Sequence, residues 1–161
     1  MYPAVPNHRV VVSGKPALPV SKKKERMFMN SGQLKIEWAA QYMPVLAAIK
    51  KQFGKEKPFS GMTIGMALHV EAKTANLVST LAAGGAEVHI TGCNPLSTQD
   101  DVAEALNGLK NVHCYAKRGC TVEEYYDAIN RVLDAKPVIT IDDGMDLIHY
   151  IHTKRRELIK T

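Results

Sequence analysis

One unit repeats along most of this chain: a short apolar segment of strand-like composition is followed by a stretch with helical periodicity. The strand segments are predicted at 63–69, 87–91, 111–116 and 138–141. Strands separated by helical stretches of about 10–15 residues indicate βαβ units. Such units place parallel strands in one sheet with helices on its faces. The sequence therefore predicts an α/β fold with a doubly wound, mostly parallel sheet of the Rossmann or flavodoxin-like kind.

Helix signals complete this pattern. Leu34, Trp38, Tyr42, Val45, Leu46 and Ile49 recur at helical spacing and predict an amphipathic helix before the sheet, with Pro44 as a kink or break. Ser97 is the predicted N-cap of the helix after the second strand, and the apolar stripe of that helix runs to Leu109. A capping box at Thr121–Glu124 opens the next helix, and the last helix is predicted over 145–160.

The net charge of +5 comes from the first thirty residues, which hold six basic side chains and one acidic side chain. The remaining 131 residues carry 15 basic and 15 acidic side chains. Four prolines and no sustained periodicity predict that 1–30 is a disordered arm, with the folded domain at 31–161. Because the folded part is neutral, a nucleic-acid-binding domain is disfavoured, although the Lys22–Arg26 run could contact RNA or a membrane.

The cysteine content and the hydropathy of the sequence indicate the environment in which the chain is expected to fold. The three cysteines are odd in number and lack metal-ligand spacing, so we expect no metal site and a reduced, cytoplasmic location. No apolar run approaches the ~20 residues of a membrane-spanning helix.

Ligands of such sheets bind beyond the carboxyl ends of the strands, where four loops begin at His69, 93–100, 117–120 and 142–146. His69 could transfer protons there or be structural. The run from Asp142 to Asp146 fits either a turn with an acidic helix start or a carboxylate pair for sugar hydroxyls. The loop from Asn94 to Gln99 fits either an anion site or capping alone.

Several other residue types carry no functional signal of their own. His89, His113, His149 and His152 are interpreted as structural or surface residues. Neither a G-x-G-x-x-G fingerprint nor a Walker A motif is present in the sequence. We therefore expect no cofactor-binding residues in this chain.

Five short motifs resemble, in register and in the correct order, those of the adenosylhomocysteinase family, in its archaeal-type branch. They cover the chain from about Gly32 to Lys160. The motifs are Gly32–Ala39 with Met43–Leu46; Ala67–His69 with Thr74-Ala75; Gly85–Val88; Cys93-Asn94 with Ser97–Asp100; and Ile141–Gly144 with Asp146-Leu147 and Ile151–Lys154.

The resemblance implies an enzyme of methyl-cycle (one-carbon) metabolism that reversibly hydrolyses S-adenosyl-L-homocysteine to adenosine and L-homocysteine. The family uses bound NAD to oxidise the ribose 3′-hydroxyl transiently, and it forms homotetramers. By resemblance, His69 is the catalytic histidine near the 5′ leaving group and Asp143 the acidic residue at the ribose. The residues expected to line the substrate pocket are Glu71, Lys73, Thr74, Asn94, Ser97, Thr98 and Gln99.

The resemblance also sets what this chain is expected to lack. Thr161 precedes the family's Ser-Glu-Glu-Thr-Thr segment, its catalytic lysine and aspartate, and its NAD domain. We therefore expect 31–161 to be a partial substrate-binding domain that is inactive alone, with NAD bound by the missing carboxyl-terminal part.

Two alternatives stay open. Lys73 stands where eukaryotic relatives usually carry a carboxylate or an amide, and an ammonium group offers only donors. It would suit the carbonyl oxygen of hypoxanthine, which makes S-inosyl-L-homocysteine an alternative substrate; Lys73 could instead point to solvent or pair with Glu71. The second alternative is a non-catalytic α/β module that binds a nucleoside or a partner protein.

Overall fold

The computed structural model describes residues 30–160. Two helices precede the sheet, strands and helices then alternate, and a short 3₁₀ helix closes the described part at Arg156–Lys160. The elements in chain order are α1 (Ser31–Ala40), α2 (Pro44–Glu56), β1 (Thr63–Leu68), α3 (Ala72–Ala83), β2 (Glu87–Gly92), α4 (Asp100–Asn107), β3 (Val112–Cys114), α5 (Val122–Asp134), β4 (Ile139–Asp142) and α6 (Asp146–Thr153).

The four strands form one sheet in the order β3-β2-β1-β4, and all neighbouring pairs are parallel. Strand β1 is central and buried along most of its length, which matches its continuous apolar sequence. The predicted α/β class with a parallel sheet is therefore confirmed.

Helices cover both faces of the sheet, as a doubly wound fold requires. On one face, Val78 of α3 and Leu106 of α4 pack against Met66 and Ile90 of the strands. On the other face, Ile129 of α5 and Leu147 of α6 pack against Ala67. Helix α1 contacts α3 and α4 from outside, and α2 lies against α3.

The predicted amphipathic helix before the sheet is two helices, because Pro44 occupies the first turn of α2 and has no amide hydrogen to continue α1. Its apolar stripe is only partly buried. Trp38, Tyr42 and Val45 remain 58%, 59% and 73% exposed. The helical periodicity therefore identified the helices correctly, but their apolar side is less buried than that pattern suggests.

Three boundary predictions were wrong. Gln99, and not Ser97, is the N-cap of α4, because the Ser97 hydroxyl is engaged elsewhere. Leu109 lies beyond the end of α4 and is 39% exposed. The predicted helix over 145–160 is interrupted after Thr153 and continues as the 3₁₀ helix.

The predicted basic arm lies outside the described residues, except that Asn30 caps α1 through a capping box with Gln33. Within residues 30–160, no helix is both long enough and apolar enough to cross a bilayer.

Candidate functional site

The strand order creates a crevice beside β1. From β1 the chain moves outward to β2 and β3 on one side and then returns to place β4 on the other side. The helices that follow β1 and β4 pack on opposite faces, so the loops after these two strands diverge. Ligands of open α/β sheets bind at such a switch point. His69 follows β1 directly, and Asp143 follows β4 directly.

His69 and Asp143 face each other across this crevice. The Nε2 atom of His69 lies 3.7 Å from Oδ2 of Asp143, and both side chains are about half exposed. Two strands that are not consecutive in the chain therefore bring an imidazole and a carboxylate to one point. Both side chains were expected to face one ligand, and the geometry permits it.

Ser97 sets the orientation of the imidazole. Its Oγ lies 2.6 Å from Nδ1 of His69, and its hydroxyl donates to the backbone carbonyl of Asn94 at 3.0 Å. If the single hydroxyl hydrogen is directed at Asn94, Nδ1 of His69 is the donor to Ser97. The Nε2 atom, on the Asp143 side, is then free to accept and release a proton.

Backbone contacts hold the loops of the crevice in place. The amide of Asp143 donates to the carbonyl of Ala67 at 3.2 Å, and the amide of Cys93 donates to the carbonyl of Leu68 at 3.2 Å. The amide of Gln99 donates to the carbonyl of Val70 at 2.9 Å. The catalytic candidates thus stand on a rigid sheet edge, which limits the reorganisation needed for chemistry.

Thr98 lies beneath the loop and not at its surface. Its hydroxyl is buried with no hydrogen-bond partner among the described residues. A Cβ atom on Gly92 would come within 3.0 Å of this hydroxyl, so glycine permits the loop to fold back over the end of β2.

Sequence reasoning did not assign a role to two residues near the crevice, Cys93 and Tyr125. Cys93 has a ligand atom within 4.8 Å of those of His69 and Asp143. Burial, followed by the charge of Asp143, raises the pKa of the Cys93 thiol, so it stays protonated near neutral pH. Burial and a hydrogen bond to Asp146 raise the pKa of Tyr125, which remains a neutral phenol.

Asp142 is one of the two carboxylates that the sequence suggested as a pair, and in the structure it caps the start of α6. Its Oδ2 accepts from the amide of Ile148 at 3.1 Å, in the first turn of α6. Its Oδ1 is buried without a partner among the described residues. The signal that could separate the two aspartates is position, because Asp142 is the last residue of β4 and Asp143 lies beyond it.

Glu71 caps α3. Its carboxylate accepts from the backbone amides of Lys73 and Thr74, both at 2.9 Å. Among the ion pairs of residues 30–160, none joins the Lys73 ammonium to Glu71. Of the two structural alternatives for Lys73, pairing with Glu71 is therefore wrong, whereas exposure to solvent is observed.

Lys73 and Thr74 instead line a cleft between the start of α2 and α3. The cleft has a volume of about 580 Å³, and its other walls are mainly apolar: Tyr42, Met43, Pro44, Val45, Leu46, Ile49 and Leu77. Apolar walls with a few polar groups are typical of sites for flat organic ligands such as bases.

Six of the nine predicted site residues fall into two groups, whereas Glu71 and Gln99 cap helices and Thr98 is buried beneath the loop. His69, Asp143, Ser97 and the Asn94 carbonyl meet in the crevice, whereas Lys73 and Thr74 face the cleft. The Asn94 side chain is occupied locally, because its Oδ1 accepts from the amide of Leu96 at 2.8 Å. Their roles toward a substrate stay predictions.

The described residues do not fit the pyrophosphate of a dinucleotide. Each helix that follows a strand carries a carboxylate at its N-terminus: Glu71 caps α3, and acidic residues occupy the first turns of α4, α5 and α6. These carboxylates occupy the free amides of the helix N-termini or repel an incoming anion, so the helix N-termini are poor sites for a pyrophosphate. No step of the chemistry is therefore assigned to NAD on these residues.

Comparison with known proteins places this geometry in context. A family model described as S-adenosyl-L-homocysteine hydrolase matches residues 22–161. The chain is 62% identical over 135 residues to an S-inosyl-L-homocysteine hydrolase of Methanosarcina mazei, covering 84% of this chain and 33% of that protein. It is 65% identical over 130 residues to the protein of that name from Methanocaldococcus jannaschii, covering 81% and 31%. It is 63% identical over 121 residues to an adenosylhomocysteinase of Archaeoglobus fulgidus, covering 75% and 30%. The chain spans about a third of the length of the curated relatives it matches.

Proposed function

Because this chain belongs to the S-adenosyl-L-homocysteine hydrolase family, we propose that it supplies the nucleoside-binding side of an enzyme that reversibly hydrolyses S-adenosyl-L-homocysteine to adenosine and L-homocysteine. The observation that carries the proposal is the 3.7 Å approach of His69 Nε2 to Asp143 Oδ2 at the switch point of the sheet. In the complete protein, NAD would supply the transient oxidation of the ribose and would be held by residues outside this chain.

The proton balance of the reaction defines what His69 does. Hydrolysis replaces the C5′–S bond by a C5′–O bond, so the departing sulfur must gain a proton and the entering water must lose one. His69, which donates from Nδ1 to Ser97, has Nε2 free for both transfers. Asp143 would stabilise the imidazolium and accept a hydrogen bond from a ribose hydroxyl.

The cleft beside α3 gives the base a place to bind. Its apolar walls would take the purine ring, and Thr74 and Lys73 would meet the polar edge of the base. Helix α3 begins shortly after His69. The short segment from His69 to Thr74 therefore has a residue for the ribose chemistry at one end and residues for the base at the other.

Lys73 favours a second candidate substrate, S-inosyl-L-homocysteine. An ammonium group can donate to the O6 carbonyl of hypoxanthine and finds no acceptor on the 6-amino group of adenine. The relatives from Methanosarcina mazei and Methanocaldococcus jannaschii bear the corresponding name, which supports this candidate for the present chain.

The test compares kcat/KM for the two thioethers with the complete enzyme and its Lys73→Gln variant. If hypoxanthine is the natural base, the unmodified enzyme prefers S-inosyl-L-homocysteine, and Lys73→Gln lowers that preference by about 10- to 100-fold, the worth of a hydrogen bond to a charged group. Lys110→Gln, an exposed lysine beyond α4, is the matched control and should leave both values unchanged.

Two other results separate the remaining possibilities. A preference for S-adenosyl-L-homocysteine that Lys73→Gln does not alter ends the inosine candidate and leaves the principal proposal standing. Binding of nucleosides without turnover of either thioether would support the non-catalytic module instead. Tetramer formation, which the resemblance implies, and a cytoplasmic location, which the cysteine usage indicates, stay predictions.

A further inference from the structure

A second cluster of titratable side chains lies on β2 and β3, away from the crevice. Glu87 and His89 point from β2 to the same face of the sheet, and His113 is the register partner of His89 on β3. Oε1 of Glu87 lies 3.5 Å from Nε2 of His89 and 3.4 Å from Nε2 of His113. The three side chains offer two imidazole nitrogens and one carboxylate oxygen, all within 4.8 Å of one another.

Tyr115 holds His89 in one orientation. The Tyr115 hydroxyl lies 2.8 Å from Nδ1 of His89, and Arg131 of α5 covers the Tyr115 ring at 4.2 Å from its centroid. A histidine whose Nδ1 is bound to an oxygen presents Nε2 as its free ligand atom, which is the arrangement found behind metal-binding histidines.

We propose that Glu87, His89 and His113 bind one divalent transition-metal ion of the zinc class. Tetrahedral zinc with bonds of ~2.0–2.1 Å separates its ligand atoms by about 3.4 Å, which matches both distances from Glu87. Two imidazoles and one carboxylate suit zinc, nickel or copper better than magnesium or calcium.

One ring must turn for the ion to bind. The imidazoles of His89 and His113 are stacked, with centroids 4.5 Å apart and planes inclined by 22°, so their Nε2 lone pairs do not yet converge. Tyr115 fixes His89, whereas the His113 side chain is about half exposed and has no hydrogen bond to a fixed partner among the described contacts. His113 is therefore the ligand that rotates onto the ion.

The position of the cluster indicates a structural role. Glu87 begins β2, and Cys93 follows its end, so the cluster and the crevice lie toward opposite ends of that strand. Strand β3 is three residues long and forms an edge of the sheet. An ion held by Glu87, His89 and His113 would clamp this short edge strand to β2. Its fourth coordination position would face solvent, because Glu87 and His113 are half exposed.

The test is a zinc titration of the metal-free chain by calorimetry, combined with cobalt(II) absorption spectra. We expect one zinc ion per chain at this cluster, with affinity lowered at least tenfold by Glu87→Gln and by His113→Gln. Tyr115→Phe should weaken binding by about 10- to 100-fold, as loss of the group that orients a ligating histidine does. His149→Gln, an exposed histidine on α6, is the matched control and should leave the affinity unchanged.

A competing cluster must be separated from this one. His69, Cys93 and Asp143 also bring three ligand atoms within 4.8 Å, and a cobalt ion there would show a thiolate charge-transfer band that the Glu87 cluster cannot produce. The proposal is overturned if no zinc binds, if Glu87→Gln and His113→Gln bind zinc as tightly as the unmodified chain, or if affinity is lost only in Cys93→Ser. Circular dichroism of each variant confirms that lost binding does not reflect unfolding.

Discussion

Single side chains in the crevice are tuned by their immediate neighbours. Ser97 was expected to cap α4, and its sequence context supports that role as well as any other. In the folded chain its hydroxyl contacts His69, which is 28 positions away. Local propensity could not predict this, because the contact exists only after β1 and the loop beyond β2 come together. The meeting of His69 with Asp143, by contrast, was expected, because both lie in loops at the carboxyl edge of the predicted sheet and the family resemblance implies one ligand for both.

Cys93 provides a chemical probe of this neighbourhood. Burial and the charge of Asp143 raise the pKa of its thiol, so the reactive thiolate should form only at alkaline pH. Asp143→Asn removes the negative charge and leaves the burial, so the pKa falls part of the way toward its ordinary value. We expect the pH midpoint of Cys93 alkylation by iodoacetamide, followed by peptide mass spectrometry, to move to lower pH.

Glu104→Gln is the control for this experiment. Glu104 is exposed on α4 and is not among the charges that act on Cys93, so its removal should leave the alkylation midpoint in place. A midpoint that Asp143→Asn also leaves in place would mean that the two side chains do not share the crevice.

The positions of helices and strands could be predicted from the sequence more securely than the contacts that cover them. The capping box of α5 is encoded by Thr121 and Glu124 alone, and it is present as expected. The apolar stripe of α1 and α2 was identified by its periodicity, yet Tyr42 and Val45 remain exposed. A helical period reports which side of a helix is apolar, and it carries no information on what covers that side.

Two glycines in helices test how α1 is packed. A Cβ on Gly32 would overlap the backbone carbonyl of Asp101 in α4, whereas a Cβ on Gly54 of α2 would meet nothing within 4 Å. Gly32→Ala should therefore lower the free energy of unfolding by about 1–3 kcal/mol through overpacking. Gly54→Ala should raise it by about 0.5–1 kcal/mol, because alanine loses less backbone entropy in a helix.

Urea denaturation of both variants measures these two changes. The pair is matched in chemistry and in type of element, so intrinsic helix propensity acts in the same direction in each. If Gly32→Ala stabilises the chain as Gly54→Ala does, α1 does not approach α4 as closely as described.

In the whole molecule, the strand order brings motifs that are far apart in the sequence together at one site. The order β3-β2-β1-β4 could not be read from the sequence, because each βαβ unit permits placement on either side of the growing sheet. Once β4 lies beside β1, the loops that carry His69 and Asp143 must border one crevice. The same sheet also joins Glu87, His89 and His113, whose ligand pattern is invisible along the chain because the groups come from two strands.

In residues 30–160, every helix that follows a strand carries a carboxylate where a dinucleotide pyrophosphate would have to bind. The carboxylates at the helix N-termini leave the sheet suited to a neutral nucleoside and its sugar hydroxyls. The proposed division of labour follows: this chain orients the nucleoside and moves protons, and other residues of the complete enzyme bind the cofactor.

The most direct test of the account is the turnover number of the complete enzyme carrying His69→Gln, measured with whichever thioether the unmodified enzyme prefers. Loss of the proton carrier should lower kcat by about 10²- to 10⁴-fold, while His149→Gln leaves it unchanged. A His69→Gln enzyme that turns over at the unmodified rate would contradict the assignment of the crevice as the site of chemistry.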